Sequence, residues 1–554
     1  MLMPSCIQRR FSDPARIIPA PHDERDAAMR TNTAGRWSAR GSAILGIGIA
    51  AIITGGSAGA AEISAHDLAL IDRLTWGING SSVAQFQKLG AARWVNQQLH
   101  PTADSALPQP VAAQIDAMPD AAGLTPAAIN AFQAQGKDAD QLTDPEARKT
   151  AKQAYQQALN DRAKQAATRS ILHALYAPEQ LRERMSWFWL NHFNVHQSKA
   201  ELRLLVGDYE DRAIRAHALG KFGDLLRATL RHPAMLRYLD NAGNANGHLN
   251  ENYAREIMEL HTMGVGSGYT QADVESLAKI LTGVGIDLKP EDPKLKPALA
   301  PQLVRDGAFE FNPARHDYSD KTFLGHTIRG SGFAEVDEAL DLIVHNPATA
   351  QHVSRKIATY FVSDEPPQPL IDKMAKIFTA SDGDIAQVLA TMIAAPEFDA
   401  SLKTAERFKD PVGYVYSAVR LAYDDKVVLN TVPIQRWLGR LGEGLYQRQT
   451  PDGYPLIASA WNGPGQMMLR FEIARQIGSG SAGLFKPEQA NAKDRPAFPL
   501  LQNALYFGGL SRTLSSTTRG ALDQAISPQD WNTLFLSSPE FMVRQRAEAP
   551  HEPS

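Results

Sequence analysis

Cysteine is nearly absent: the 554 residues hold one, Cys6. A single thiol excludes an intramolecular disulfide, a paired-thiol redox centre and a Cys-rich zinc site. Long apolar runs are missing as well. The most prominent, Ala43 to Thr54 (AILGIGIAAIIT), has 12 residues, short of the ~20 a helix needs to span a bilayer. Neither sign of charge dominates, with 57 Lys+Arg against 60 Asp+Glu, so no general basic face for nucleic acid is implied. H-E-x-x-H and paired Cys/His zinc spacings do not occur, which removes those metal-site signatures. What is present is ample core material, at 44% hydrophobic residues. That excludes a disordered or collagen-like chain, and the length suits roughly two to four domain-sized units.

Residues 1–61 read as a leader rather than as fold. Arg36 and Arg40 precede the apolar run, and Ala58-Gly59-Ala60 follows it with the small-residue pattern of a cleavage site. The chain is therefore expected to be exported, to the periplasm or beyond, with membrane contact only if the leader is retained. Met29 opens a better-proportioned signal than Met1 and is an alternative start. Cleavage would take seven Arg and four Asp+Glu with it, leaving 50 basic against 56 acidic residues and no cysteine. Such a protein must be held by its core alone.

From Ile63 onward apolar residues recur at helical spacing. The expected fold is all-α, a multi-helix globular domain with a small β-ribbon near 309–328, its arms at Phe309-Glu310-Phe311 and Thr322-Phe323-Leu324. Residues 62–285 form an N-terminal helical part, with an Ala/Gln-rich helical excursion over 102–167. Prolines 290, 293, 297 and 301 make 286–302 a loop. A ribbon and helical part (303–400) and a C-terminal helical part (401–554) follow. Ala395-Pro396-Glu397-Phe398 and Ser538-Pro539-Glu540-Phe541 echo one another after apolar helices.

Three groups of residues are candidates for chemistry. In a helix opened by Pro178, Leu181, Met185, Phe188 and His192 share one face, so His192 lies among aromatics. It is either a core histidine donating to a carbonyl or a ligand or base with a shifted pKa. In Leu249 to His261, with Asn250 as cap and Gly264 as stop, Glu251, Arg255 and Glu259 follow at i, i+4 and Glu256 borders them. This is either a solvated salt-bridge ladder or a dense acid–base or binding site. The preceding loop, Asp240 to Glu251, has the length of an EF-hand loop, but Ala242 and Ala245 stand where a ligand and a glycine are needed. Third, His316-Asp317 is a dyad that a turn would have to fold together. Thr270 and Asp273 form a capping-box start, and the glycine-rich Gly264 to Gly268 lacks the strand and Lys-Ser/Thr of a phosphate loop.

The blocks Asp72-Arg73-Leu74-Thr75-Trp76-Gly77, Phe188 to Phe193, Met235 to Asn241, Asn250 to Gly264, Tyr269-Thr270 with Asp273-Val274, and Thr282-Gly283 resemble the bacterial domain of unknown function 1800 family. So do His316-Asp317 with Lys321 to Gly325, and Asp452-Gly453-Tyr454-Pro455 with Trp461. The resemblance runs from Leu68 to Arg546. It implies an exported, largely helical protein of unassigned activity, encoded near exported proteins resembling alkaline phosphatases and sulfatases. In the shared pattern the position of His261 is often aromatic, which counts against a catalytic His261.

Two functions fit. One is an exported hydrolase-like acid–base or metal-dependent enzyme, with Glu251, Glu256 or Glu259 as base or metal ligand. Arg255 and Lys321 would then bind an anionic group, and His192 or His316-Asp317 would move protons. A divalent metal is compatible with this set, of unspecified identity. The other is a non-catalytic binding or assembly partner of another exported protein or of a cell-envelope component.

Overall fold

Helix starts are written plainly in this chain. Ser64, Asn79, Thr125, Asp144, Thr270, Asn346, Asp384, Asp410, Ser515, Ser527 and Ser538 each stand at an N-cap and accept a hydrogen bond from a first-turn amide. Several are followed by proline, whose missing N–H costs nothing at the first helical position. The result, in a computed structural model that describes residues 62–102, 106–404, 407–486 and 498–547, is 24 α-helices with short connections. The leader expected over 1–61, with Met29 and Cys6, lies outside the described residues. Among the described residues no helix is long and apolar enough to cross a membrane.

The all-α expectation holds, and one extended hydrophobic core threads helices from the first, Ala65–Leu74, to the last, Pro539–Met542. Helix Gln180–His192 is its axis, with every residue but Arg182 buried. It begins two residues after Pro178 and has no side-chain cap. The Ala/Gln-rich excursion carries Gln109–Asp116, Pro126–Gln141 and a 32-residue helix, Pro145–Tyr176. The echoed Pro-Glu-Phe segments each place proline in the first turn of a short helix, Pro396–Thr404 and Pro539–Met542.

Strands are few. β1 (Val284–Ile286), β2 (Val304–Asp306) and β3 (Phe309–Phe311) form an antiparallel sheet in the order β1-β3-β2, and β4 (Lys321–Phe323) pairs only with β5 (His326–Ile328). The two expected ribbon arms therefore do not pair with each other. Phe309–Phe311 is instead the centre of a three-stranded sheet, while Leu324 and Gly325, both at positive φ, close a two-residue hairpin.

Of the ten Lys and Arg side chains buried among the described residues, six neighbour one another: Arg73, Arg184, Arg407, Lys409, Arg470 and Arg544. Carboxylates do not match them one for one. The guanidinium groups instead donate to carbonyls at helix ends. Arg73 reaches Phe361 O at 2.8 Å, and Arg544 reaches Asp72 O at 3.1 Å and Thr75 O at 3.2 Å; Arg470 differs, reaching Lys409 O at 2.7 Å just before a helix N-cap. The C-terminal ends of helices carry partial negative charge and orphan carbonyls, so buried arginine satisfies both at once.

Candidate functional site

The polar helix departs from a regular α-helix, and this rearranges the expected stripe. The N-cap position falls at Glu251, without a side-chain cap, and not at the expected Asn250. Asn250 Oδ1 accepts from Asn252 N at 3.0 Å, and the α-helix runs only from Asn252 to Glu256. From Ile257 to His261 the backbone winds as a π-helix, a local geometry that often marks functional positions. Glu251 and Arg255 keep their i, i+4 pair at 3.2 Å, and Gln271 joins them, accepting from Arg255 at 2.7 Å and donating to Glu251 at 2.8 Å. This is a half-exposed ladder. Glu259 is carried out of it by the wider winding and hydrogen-bonds Tyr269.

The Asn-rich loop before it is a structural plug. Asn244 Nδ2 donates to Ala278 O at 2.8 Å and Asn241 Nδ2 to Val284 O at 3.0 Å, both side chains fully buried.

A π-helix end leaves carbonyls to be satisfied, and here each has a named partner. Thr262 Oγ1 donates to Ile257 O at 2.6 Å and Gly264 N to Met258 O at 3.1 Å. His352 hydrogen-bonds the Leu260 carbonyl, and His192 Nε2 donates to His261 O at 2.9 Å. Three imidazoles thus gather, with ring centroids 5.9 Å apart for His192 and His261 and 6.3 Å for His192 and His352. His192 Nδ1, His261 Nε2 and His352 Nε2 are buried without a hydrogen-bond partner. Gly264 is required beside them, since at φ +89° a Cβ there would lie 2.7 Å from His352 Nδ1.

Burial holds all three rings neutral. It pushes His192 well down, with Lys356 and the other two imidazoles adding to the effect, and takes His261 to about 3 and His352 to about 4. Lys356, one turn after His352 on helix Pro347–Phe361, is pulled down to about 8 by burial, with only the Asp452 charge opposing. Among the described residues no carboxylate stands within 4.0 Å of its ammonium. Glu256 is raised by burial, then by the charges of Glu259 and Asp452. Depth increases from exposed Asp452 through half-buried Glu256 and Lys356 to buried His192. Among the described residues no three His, Cys, Asp or Glu side chains are arranged to hold a metal ion.

The 448–454 loop, in which Asp452 is ion-paired to Arg448 at 2.9 Å, is stitched to the end of helix Gln180–His192. Asn191 donates to Tyr454 O at 2.9 Å and accepts from Tyr454 N at 2.6 Å, while Asn194 donates to Thr450 O at 2.8 Å. Between them Gly453, at φ +77°, leaves no room for a side chain: a Cβ would sit 2.1 Å from Asn191 O.

The third candidate group lies apart and is structural. His316 and Asp317 point to different partners. His316 Nε2 meets Glu335 Oε1 at 2.8 Å and its Nδ1 meets Thr282 O at 2.8 Å, whereas Asp317 Oδ1 accepts from Ser319 N at 2.8 Å. Lys321 Nζ donates to Glu335 Oε2 at 2.6 Å and to the Asp317 carbonyl, so it is not free to bind an anionic substrate. Burial pushes the Glu335 carboxyl up, but hydrogen bonds from His316, Lys321 and the Gly332 amide outweigh it and hold the group below the usual carboxylate range. This His-Glu-Lys lock ties the β4 region to the helices on either side.

Of the residues the sequence offered, the structure places His192 beside His261 and His352, Glu251 with Arg255 and Gln271, and His316 and Lys321 on Glu335, while His352 and Lys356 were not among the sequence candidates. The i, i+4 spacing of His352 and Lys356 on a helix was the signal available.

The fold and this cluster define an all-α protein with a buried imidazole–lysine group set under a short polar helix. A family model described as protein of unknown function, DUF1800, matches residues 69–543, and the chain belongs to that family. No curated protein and no solved structure matches the chain.

Proposed function

We propose that this chain is an exported enzyme that carries out hydrolase-like acid–base chemistry at the group formed by Lys356, Glu256 and the His192, His261 and His352 imidazoles. The observation that carries this reading is Lys356: a half-buried ammonium, drawn down by desolvation, with no carboxylate of the described residues within 4.0 Å, beside three imidazoles that each keep an unpartnered nitrogen. Structural lysines are normally paired when buried. An unpaired one in a set of perturbed titratable groups is what proton transfer requires. Lys356, partly neutral near pH 8, is the proton acceptor. Glu256, with its raised pKa, is the acid, and His192 and His352 offer acceptor nitrogens behind them. Export rests on the basic, apolar and small-residue order of residues 36–60.

The test has two arms. Competitive acetylation across pH 6–11, read by mass spectrometry, gives the titration of Lys356 against the other lysines. Chromogenic ester, glycoside and phosphoester panels are run on wild type, Lys356→Met and Glu256→Gln. The reading stands if Lys356 titrates near 8 and a turnover is found that both variants lose while retaining wild-type unfolding midpoints. It fails if Lys356 titrates with ordinary lysines and no substrate is turned over.

A second reading, a non-catalytic partner of another exported protein, is favoured by apolar side chains left in solvent towards the C-terminus: Met468 and Phe507 are each 65% exposed and Ile526 94%.

A further inference from the structure

Away from the imidazole group, a cavity of about 220 Å³ opens between helix Pro145–Tyr176, the 197–203 segment, helix Val432–Arg440 and the 445–447 turn. Among the described residues that line it, none is Asp or Glu. Its polar wall is built from amides, a hydroxyl and cations, including Asn160, Gln197, Ser198, Arg203, Gln435 and Gln447. Its apolar wall is small and aliphatic, from Ala163, Ala167 and Leu445.

The hydrogen-bonding capacity left over in this wall is specific. Arg203 donates to Asn160 Oδ1 and Gln156 Oε1, both at 2.7 Å, and no carboxylate of the described residues lies within 4.0 Å of it. Two of its five N–H donors are thereby used and its charge is uncompensated. Gln435 spends its amide N–H groups inward, on Lys164 O at 3.2 Å and on Thr168 and Thr431 Oγ1 at 3.0 Å each. Its Oε1 accepts nothing among the described residues. The side chains of Gln197, Ser198 and Gln447 make no hydrogen bond among the described residues. Gln447 is nonetheless seated, because Gly444 leaves space that a Cβ would close to 2.3 Å from its Oε1.

We propose that this cavity is a binding site for a sugar acid, a single polyhydroxylated ring bearing one carboxylate. Side-chain amides present a donor and an acceptor in one plane and so match neighbouring hydroxyls. The guanidinium of Arg203, already flattened against two amide oxygens, takes the carboxylate by charge-assisted hydrogen bonds. Ala163, Ala167 and Leu445 meet the C–H face of the ring. The volume equals roughly seven waters at about 30 Å³ each, which suits one ring and not a chain of them. The two loops of the cavity are joined to each other, with Gln197 N donating to Tyr446 O at 2.9 Å. The inference does not depend on the imidazole group being catalytic.

The experiment is calorimetric titration of the purified protein with D-glucuronate, with D-glucose and acetate as separate probes. Saturable one-to-one binding of glucuronate, tighter than either control, is expected. Arg203→Met weakens it about ten- to hundredfold and Gln447→Leu about two- to tenfold, with thermal midpoints showing that both variants remain folded. The proposal is overturned if wild type shows no saturable glucuronate binding, if acetate binds as well as glucuronate, or if neither variant changes the affinity.

Discussion

Replacing His261 by phenylalanine separates an acid-sensitive fold from an acid-indifferent one. The ring makes no hydrogen bond through Nε2 and packs against Phe193 at 5.0 Å, so a phenyl ring of similar size loses nothing at neutral pH. At lower pH the two proteins diverge. The unfolded histidine binds a proton below about 6.5, whereas burial keeps His261 neutral in the fold down to about 3. Between those values the unfolded state binds more protons, so stability falls as pH falls, by about 1.4 kcal/mol per pH unit for this one group. At pH 5.0 the wild type has lost about 2 kcal/mol on account of His261 alone. Every other titrating group is common to both proteins and cancels in the difference. The assay is urea unfolding followed by circular dichroism at pH 7.5 and 5.0. Equal stability at 7.5 with His261→Phe about 2 kcal/mol more stable at 5.0 is expected. Parallel losses in the two proteins would refute the assignment of a buried, neutral, unpartnered imidazole.

Glu335→Gln breaks a buried carboxylate shared by His316 and Lys321 and should cost about 3–5 kcal/mol, measured by denaturant unfolding. Because the Glu335 pKa is depressed, its contribution is complete above the unfolded carboxylate value of about 4.3 and lost as pH falls through the lower folded value. Gly453→Ala should destabilise by more than about 1 kcal/mol and raise proteolytic nicking in 448–454, since both φ and the Asn191 carbonyl oppose it. Asp273→Ala removes a capping-box partner that also holds Leu324 N at 2.7 Å, and should cost about 1–2 kcal/mol in thermal unfolding.

The helical fold was legible because its signals are local: caps, prolines at first turns and 3.6-residue spacing all lie within a few residues. His192 was legible as a buried histidine for the same reason. The dyad reading of His316-Asp317 failed because the true carboxylate partner, Glu335, is 19 residues away and reaches His316 only after the ribbon folds. The polar stripe failed at Glu259 because π winding, which shifts side chains by a fraction of a turn, leaves no composition signal. The ribbon arms were located correctly and paired wrongly, since register among three-residue strands is set by tertiary packing and not by alternation. Lys356 carries no motif; its desolvation is a property of what packs around helix Pro347–Phe361.

The arginine that satisfies the end of the first helix comes from the far end of the chain. Arg544 and the Gln545 amide hold Asp72 and Thr75, with Gln545 N 2.8 Å from Asp72 Oδ2. At a synthesis rate of about 5–20 residues per second, the roughly 470 intervening residues take about half a minute to a minute and a half to appear. Through that time the end of helix Ala65–Leu74 has Arg184 on its Arg73 and Thr75 carbonyls but lacks the Arg544 guanidinium and the Gln545 amide. The contacts that finish seating this helix can therefore form only once residues 544–545 have been made.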